Sequence, residues 1–324
     1  MLNKLTFILL VALMPSQLWA QQTAEKLVQE TNYLLYLPEN YKDDTARKWP
    51  LVIFLHGSGE SGDDLNKVKF HGPPKLVEAG RQFPFILVSP QAPPNTGWQL
   101  DVLKALLNDL KKKYKVDEDR VYMTGLSMGG FGTWNYAEKY PSDLAAIAPV
   151  CGGGDAEKAW TLRYMPIWCF HGAKDDVVLP AASISMIDAV RKLNKKAEVK
   201  FTLYPDANHN SWDITYNNDS LYQWLLSKKR FRFNQVAVPD AALKSYVGKY
   251  ADSKKDTVTL MIEEGRLLVK DVNNKIFLKA SSPVNFYWQD DSIDEIEFSR
   301  NEKGAITGFS LLMGDRKFFR RVEK

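Results

Sequence analysis

Residues 124–134 read TGLSMGGFGTW, with Gly125, Ser127 and Gly129 at two-residue offsets. RVYM, just ahead, has the apolar character of a strand. FGTWNYAEKY, just behind, has a helical pattern that stops before Pro141. A serine between two glycines at a strand-to-helix turn reads as a nucleophile elbow. The serine backbone is strained there, and side chains two positions away would collide with it. The turn leaves the hydroxyl exposed, and the following helix aims its positive end at developing negative charge. A serine hydroxyl alone is a weak nucleophile. The reading therefore requires a base, an acid to orient it and donors for an oxyanion.

The surrounding pattern decides the fold class. WPLVIFLHG, FPFILVSP, RVYMTGLS, LAAIAPVC, MPIWCFHG and VKFTLYPDA are short apolar strands. Between them lie helical stretches. One places Leu103, Leu106, Leu107 and Leu110 on one face and ends in lysines. Two others are SISMIDAVRKLNKK and SLYQWLLSKKR. Such alternation indicates an α/β fold: a mostly parallel sheet with helices on both faces. Ligands of these sheets bind at the carboxyl ends of the strands. FLHGSGE, TGLSMGG, CFHGAKDD and DANHNSW all follow strands.

These four segments supply the missing parts. His209, after the last strand, is the candidate base. His56 and His171 close strands in His-Gly turns, where imidazole supports the loop, and His71 lies in a loop. Asp175, four residues past His171, is the candidate acid. Its neighbour Asp176 is expected to be solvated, and Asp206 sits only three residues before His209. The order Ser, Asp, His is that of an α/β-hydrolase triad. For the oxyanion hole, the backbone N–H of Met128 is one donor. The second is assigned to Ser58 in LHGSGES, with Gly57 and Gly59 as open alternatives. Trp98, Phe131 and Trp212 are candidate substrate-binding aromatics, while Trp134 is expected to pack in the core. No pair of histidines has metal-ligand spacing, so no metal is expected, and the chemistry needs no cofactor.

FLHGSGE, GLSMGGFGTW, FHGAKDDVV and NHNSW together resemble the α/β-hydrolase superfamily. The similarity is to exported bacterial carboxylesterases of the feruloyl-esterase, polyhydroxybutyrate-depolymerase and phospholipase/carboxylesterase type, often described as prolyl-oligopeptidase-like. It covers about residues 30 to 230. It implies a serine esterase with Ser127 as nucleophile, His209 as base, Asp175 as acid, and Met128 and Ser58 as amide donors. Leu179, ahead of Pro180, is a small departure from the family pattern and touches no catalytic position.

Composition bounds the rest. The chain has 324 residues, 45% hydrophobic and 25% charged, which suits globular structure. The net charge of +4 is spread along the chain, so no nucleic-acid partner is expected. Lys4, the apolar run LTFILLVALM and a possible cut after Ala20 read as an export signal over residues 1–20, too short to span a bilayer. A retained anchor is the alternative. The expected location is periplasmic or extracellular, with no transmembrane span after signal removal. Cys151 and Cys169 lie in apolar strands and are expected to be buried free thiols.

The catalytic domain is expected over 21–235. Near VAVPDAAL, residues 236–243, the helical periodicity vanishes. Alternating strands with turn signals at EEGR, EKGA and MGDR predict a small antiparallel β-domain over 236–324, a sheet or barrel without His or Cys. Its default role is binding or structure. The expected substrate is a small-molecule or polysaccharide-linked ester, of feruloyl or acetyl type. A serine peptidase on the same fold, or a binding protein on a hydrolase scaffold, are the competing readings.

Overall fold

A computed structural model describes residues 31–44, 46–193, 198–270 and 274–322. The expected export signal lies outside the described residues. The first part runs β1 (Tyr33–Tyr36), β2 (Trp49–Leu55), α1 (Gly72–Glu78), β3 (Ile86–Pro90), α2 (Leu100–Lys113), β4 (Val116–Leu126), α3 (Met128–Lys139), β5 (Ala146–Val150), β6 (Ile167–Gly172), α4 (Ala181–Leu193), β7 (Val199–Tyr204), α5 (Trp212–Tyr216) and α6 (Asp219–Leu226). The strands form a seven-stranded sheet in the order β1-β3-β2-β4-β5-β6-β7. β1 pairs antiparallel with β3, and the remaining pairs are parallel.

Every residue of β2, β3 and β5 is buried, because both sheet faces are covered. Successive side chains alternate between two cores. Leu51, Ile53 and Leu55 face Leu103, Leu107 and Trp134 from α2 and α3. Val52 and Phe54 face Tyr216, Leu221 and Trp224 from α5 and α6. The leucine face read from the sequence is thus the buried face of α2, and Lys111, Lys112 and Lys113 fill its last turn. There they complement the negative end of the helix dipole.

The second part runs α7 (Asp240–Tyr246), β8 (Gly248–Ala251), β9 (Thr257–Glu263), β10 (Arg266–Lys270), β11 (Lys275–Phe277), β12 (Lys279–Ala280), β13 (Asn285–Tyr287), β14 (Glu295–Arg300), β15 (Ile306–Met313) and β16 (Asp315–Arg321). Its strands form an antiparallel nine-stranded sheet, in the order β11-β10-β9-β8-β16-β15-β14-β13-β12. The two edge strands, β11 and β12, are separated in sequence only by Leu278, so the sheet curls round until its edges meet. Tyr246, Tyr250, Phe286, Phe298 and Phe309 fill the interior. The three turn signals hold. Glu264 and Gly265 both have positive φ (51° and 72°), as a tight hairpin with right-handed twist demands, and Gly304 and Gly314 turn at 78° and 60°.

One expectation fails. Residues 240–246 form α7, where strand character was expected from Ser245 onward. Pro239 at the cap and Asp240 in the first turn start it, and Leu243 and Tyr246 anchor it in the core. Seven residues are two turns, too few to show a helical period.

Residues from Thr31 onward form one compact unit. At the seam between the two sheets, Arg163 and Glu295 make a buried ion pair, with Arg163 Nε 2.9 Å from Glu295 Oε1. The Tyr164 hydroxyl donates to the same oxygen at 2.9 Å, and Asn285 Nδ2 donates to Oε2 at 3.0 Å. Tyr164 stacks on Phe231, and Phe233 stacks on Tyr287. A groove of about 980 Å³ follows this seam, lined by Glu138, Tyr140, Trp160 and Asp294 among others.

Candidate active site

Ser127 occupies the turn between β4 and α3 at φ 51° and ψ −116°. A non-glycine residue in this region carries strain of order 1–3 kcal/mol, which the packing around it must hold. The glycines prove necessary for a reason that differs from the one expected. A methyl group on Gly129 would run into the backbone carbonyl of Leu55, and one on Gly125 would run into that of Gly129. The clashes are with the neighbouring strand and within the turn. The glycines let α3 start directly against the end of β2. The Ser127 N–H donates to Val150 O at 3.0 Å, which ties the elbow to β5.

Asp175 follows β6 and is buried. Its Oδ1 accepts the backbone N–H groups of Val177 (3.0 Å) and Val178 (2.9 Å). Its Oδ2 lies 2.8 Å from His209 Nδ1. Burial acts to raise this carboxyl, but the hydrogen bonds from His209, Val178 and Val177 outweigh it and hold the group below the ordinary carboxylate value. The side chain is therefore an anion that fixes the hydrogen of His209 on Nδ1. Asp176 is exposed, and Asp206 is spent on an ion pair with Lys174 at 2.7 Å.

His209 arrives on the loop after β7. That loop is pinned to the end of β6: Ala173 N–H donates to Tyr204 O (2.8 Å) and Lys174 N–H to Ala207 O (2.9 Å). Gly172 permits the approach, since a methyl there would strike the carbonyls of Ala207 and Asn208. His209 Nε2 then stands 3.0 Å from Ser127 Oγ. With the hydrogen on Nδ1, Nε2 presents its lone pair to the hydroxyl. Three residues from three loops thus form one hydrogen-bonded line.

The remaining candidates divide. Trp212 packs edge-on against His209, with ring centroids 5.2 Å apart, and against His71 at 5.5 Å. Phe131, one turn along α3, is 37% exposed. Trp98 is half-buried against α3, and its indole N–H donates to His56 O at 3.3 Å, so it supports the loop. Trp134 is fully buried, as expected. Ser58 is exposed at the start of a 3-10 turn spanning Ser58–Glu60. A methyl on Gly57 would sit 2.8 Å from the Leu126 side chain, so this loop passes beside the elbow. Met128 opens α3, where first-turn N–H groups have no acceptor inside the helix.

His56 keeps the loop role read from the sequence. Its Nε2 accepts from Ala92 N–H at 3.0 Å, so Nδ1 carries the hydrogen and donates to Gly57 O. Burial holds this imidazole below its ordinary value. His171 does more than close a turn. It is fully buried, with Nε2 3.1 Å from Asp175 Oδ2 and Nδ1 2.7 Å from Ser183 Oγ. The four-residue spacing to Asp175 was visible in the sequence. Ser183 was not, since it lies on α4 with no local motif.

Cys151 and Cys169 are free and buried. Cys151 offers its sulfur within 4.8 Å of ligand-type atoms of Asp175 and His209. Burial pushes both thiols up to about 12, which opposes the deprotonation that metal ligation requires.

Known proteins bear on this geometry. An esterase family model, described as putative esterase, matches residues 24–152, and a dienelactone hydrolase family model matches 89–220. Residues 232–321 match a domain of unknown function, DUF3471. A bifunctional acetylxylan esterase/xylanase, XynS20E, of Neocallimastix patriciarum is 28% identical over 153 residues, 44% of this chain and 21% of that protein. Poly(3-hydroxyalkanoate) depolymerase C of Paucimonas lemoignei is 41% identical over 51 residues, 16% of this chain and 12% of that protein. The chain therefore spans about a fifth or less of the length of these relatives. A solved thermostable esterase superposes with a TM-score of 0.53 and 31% identity, covering 61% of this chain and 59% of that one. The sheet order, the elbow and the two family models agree on an α/β-hydrolase fold, with similarity to esterases over residues 24–152 and to dienelactone hydrolases over 89–220.

Proposed function

We propose that the protein is a serine carboxylic ester hydrolase that works through an acyl-enzyme. The observation that carries this reading is the hydrogen-bonded line Ser127 Oγ to His209 Nε2 (3.0 Å) and His209 Nδ1 to Asp175 Oδ2 (2.8 Å). Ser127 Oγ attacks the ester carbonyl while its proton passes to His209 Nε2. The carbonyl oxygen becomes an oxyanion held by the backbone N–H groups of Met128 and Ser58. Collapse breaks the bond to the alcohol oxygen, which takes the proton from His209. Water then attacks the acyl-enzyme, gives a proton to His209 and releases the acid as Ser127 recovers its hydrogen.

Two features support an acylated carbohydrate as the substrate class. Trp212 lies edge-on to His209, and Phe131 is exposed one turn along α3 from the elbow; aromatic surface of this kind suits a feruloyl group or the ring face of a sugar. Partial similarity to an acetylxylan esterase supports an acylated carbohydrate. The N-terminal pattern supports export, to a periplasm or the cell exterior, and among the described residues no helix is long and apolar enough to cross a membrane. Turnover of p-nitrophenyl acetate, methyl ferulate, acetylated xylan and peptide anilides tests the reading. Methyl ferulate or acetylated xylan should be cleaved and the anilides spared. Turnover confined to the anilides would replace the esterase reading with a peptidase.

A further inference from the structure

We propose that His171 is a positioning residue for the triad, acting as a second imidazole on Asp175. This inference rests on the esterase reading and adds to it. His171 Nε2 faces two oxygens, Val178 O at 2.8 Å and Asp175 Oδ2 at 3.1 Å. Val178 O cannot donate, so Nε2 carries a hydrogen and donates to it, and the polarised N–H edge of the ring stands against Asp175 Oδ2. Nδ1 meets Ser183 Oγ at 2.7 Å, and that hydroxyl lies 2.7 Å from Gly152 O. His171 and Ser183 are both fully buried. The ring is thus fixed at both nitrogens.

The consequence lies in Asp175. Its Oδ1 is tied to two backbone N–H groups, which leaves the carboxylate free to pivot about that oxygen. Oδ2 is the oxygen that receives His209, whose side chain is 18% exposed and rides on a loop. A single hydrogen bond to a loop histidine cannot set the position of both partners. His171 supplies the fixed reference: it holds Oδ2 from inside the fold, so that His209 docks onto an oxygen already in place. Both anchors of Asp175, backbone and imidazole, come from residues 171–178. The acid is therefore set before the base arrives. The Ser183 hydroxyl, which gives its hydrogen to Nδ1, also packs against Gly152 O, so this segment meets the loop after β5, beside the elbow. A displacement of about 1 Å at such a constellation costs on the order of 10²-fold in turnover.

The test compares His171→Leu, which removes the donor, with His171→Gln, whose amide nitrogen can stand where Nε2 stands. With p-nitrophenyl acetate, His171→Leu should lose about 10²-fold in kcat at unchanged KM. His171→Gln should recover most of that loss, although both should melt at similar temperatures. Equal losses in the two variants, or a fully active His171→Leu, would overturn the proposal. Should His171→Leu fail to fold, Ser183→Ala decides. It keeps the imidazole but frees one end, and should lower kcat with KM and melting temperature unchanged; full activity would overturn the proposal. Ser127→Ala in the same assay separates the two readings. If that variant stays active, the esterase reading fails; if it is dead while His171→Leu keeps the full wild-type kcat, only this inference fails.

Discussion

The two sheets of this chain bury their side chains in different ways. In the parallel sheet, β2, β3 and β5 are buried at every position, and every crossover returns the chain to the same end. The loops after β4, β6 and β7 therefore open on one edge, and each delivers one member of the Ser127–Asp175–His209 line. In the antiparallel sheet, neighbouring strands run in opposite directions and no edge collects the loops. Strands such as β16 bury only part of their length, and the aromatic interior is spent on packing. All four histidines and both cysteines lie before residue 236. Direction of strand pairing thus separates a region that gathers reactive groups from one whose interior is filled by packing.

The sharpest break in this contrast is at the elbow. Ser127→Ala should lower kcat on a small ester by about 10⁴- to 10⁶-fold, read by steady-state turnover, with the melting temperature unchanged or raised. Asp175→Asn comes next, with a loss of about 10⁴-fold, because the His209 tautomer is no longer fixed. Asp176→Asn should stay close to wild type, since that side chain faces solvent. Reversed losses would move the acid by one residue.

The antiparallel region should respond in stability. Glu295→Ala removes the buried carboxylate that Arg163 and Tyr164 share, and denaturant unfolding should show a loss of about 3–5 kcal/mol. The folded variant should still turn over p-nitrophenyl acetate at nearly the wild-type kcat. A collapse of kcat in folded protein would show that the second sheet helps to shape the site.

The smallest effect sits at the seam groove. Burial drives Glu138 from 4.5 up to about 7, against the hydrogen bond that it accepts from Asp155 N–H at 2.8 Å. The native state keeps the acid form where the unfolded chain has already ionised. The stability tied to this group is therefore complete below about pH 4.5 and is lost as pH rises toward 7, by about 3 kcal/mol at most. Glu138→Gln should flatten the thermal stability profile between pH 5 and 7 by about that amount. An unchanged profile would place the groove's pH response elsewhere.

Much of this was legible in the sequence, for identifiable reasons. Continuous apolar runs marked β2, β3, β5 and β6, because a covered parallel strand needs apolar residues on both faces. The G-x-S-x-G spacing marked Ser127, because backbone approach at that turn tolerates no side chain. Chain order then selected Asp175 and His209. What stayed hidden depends on contacts distant in sequence. α7 was too short to show a period. The Arg163–Glu295 pair joins residues in two different sheets. The link from His171 through Ser183 to Gly152 exists only once α4 packs against β6. The packing of Trp98 against Gly132 on α3 likewise shows only in three dimensions.

The most direct measurement is active-site labelling with a fluorophosphonate, read by intact mass and peptide mapping. Wild-type protein should take up one phosphonyl group, located on Ser127, and Ser127→Ala should take up none. Wild-type protein that stays unlabelled, or an adduct on any other residue, would contradict the assignment of Ser127 as the nucleophile.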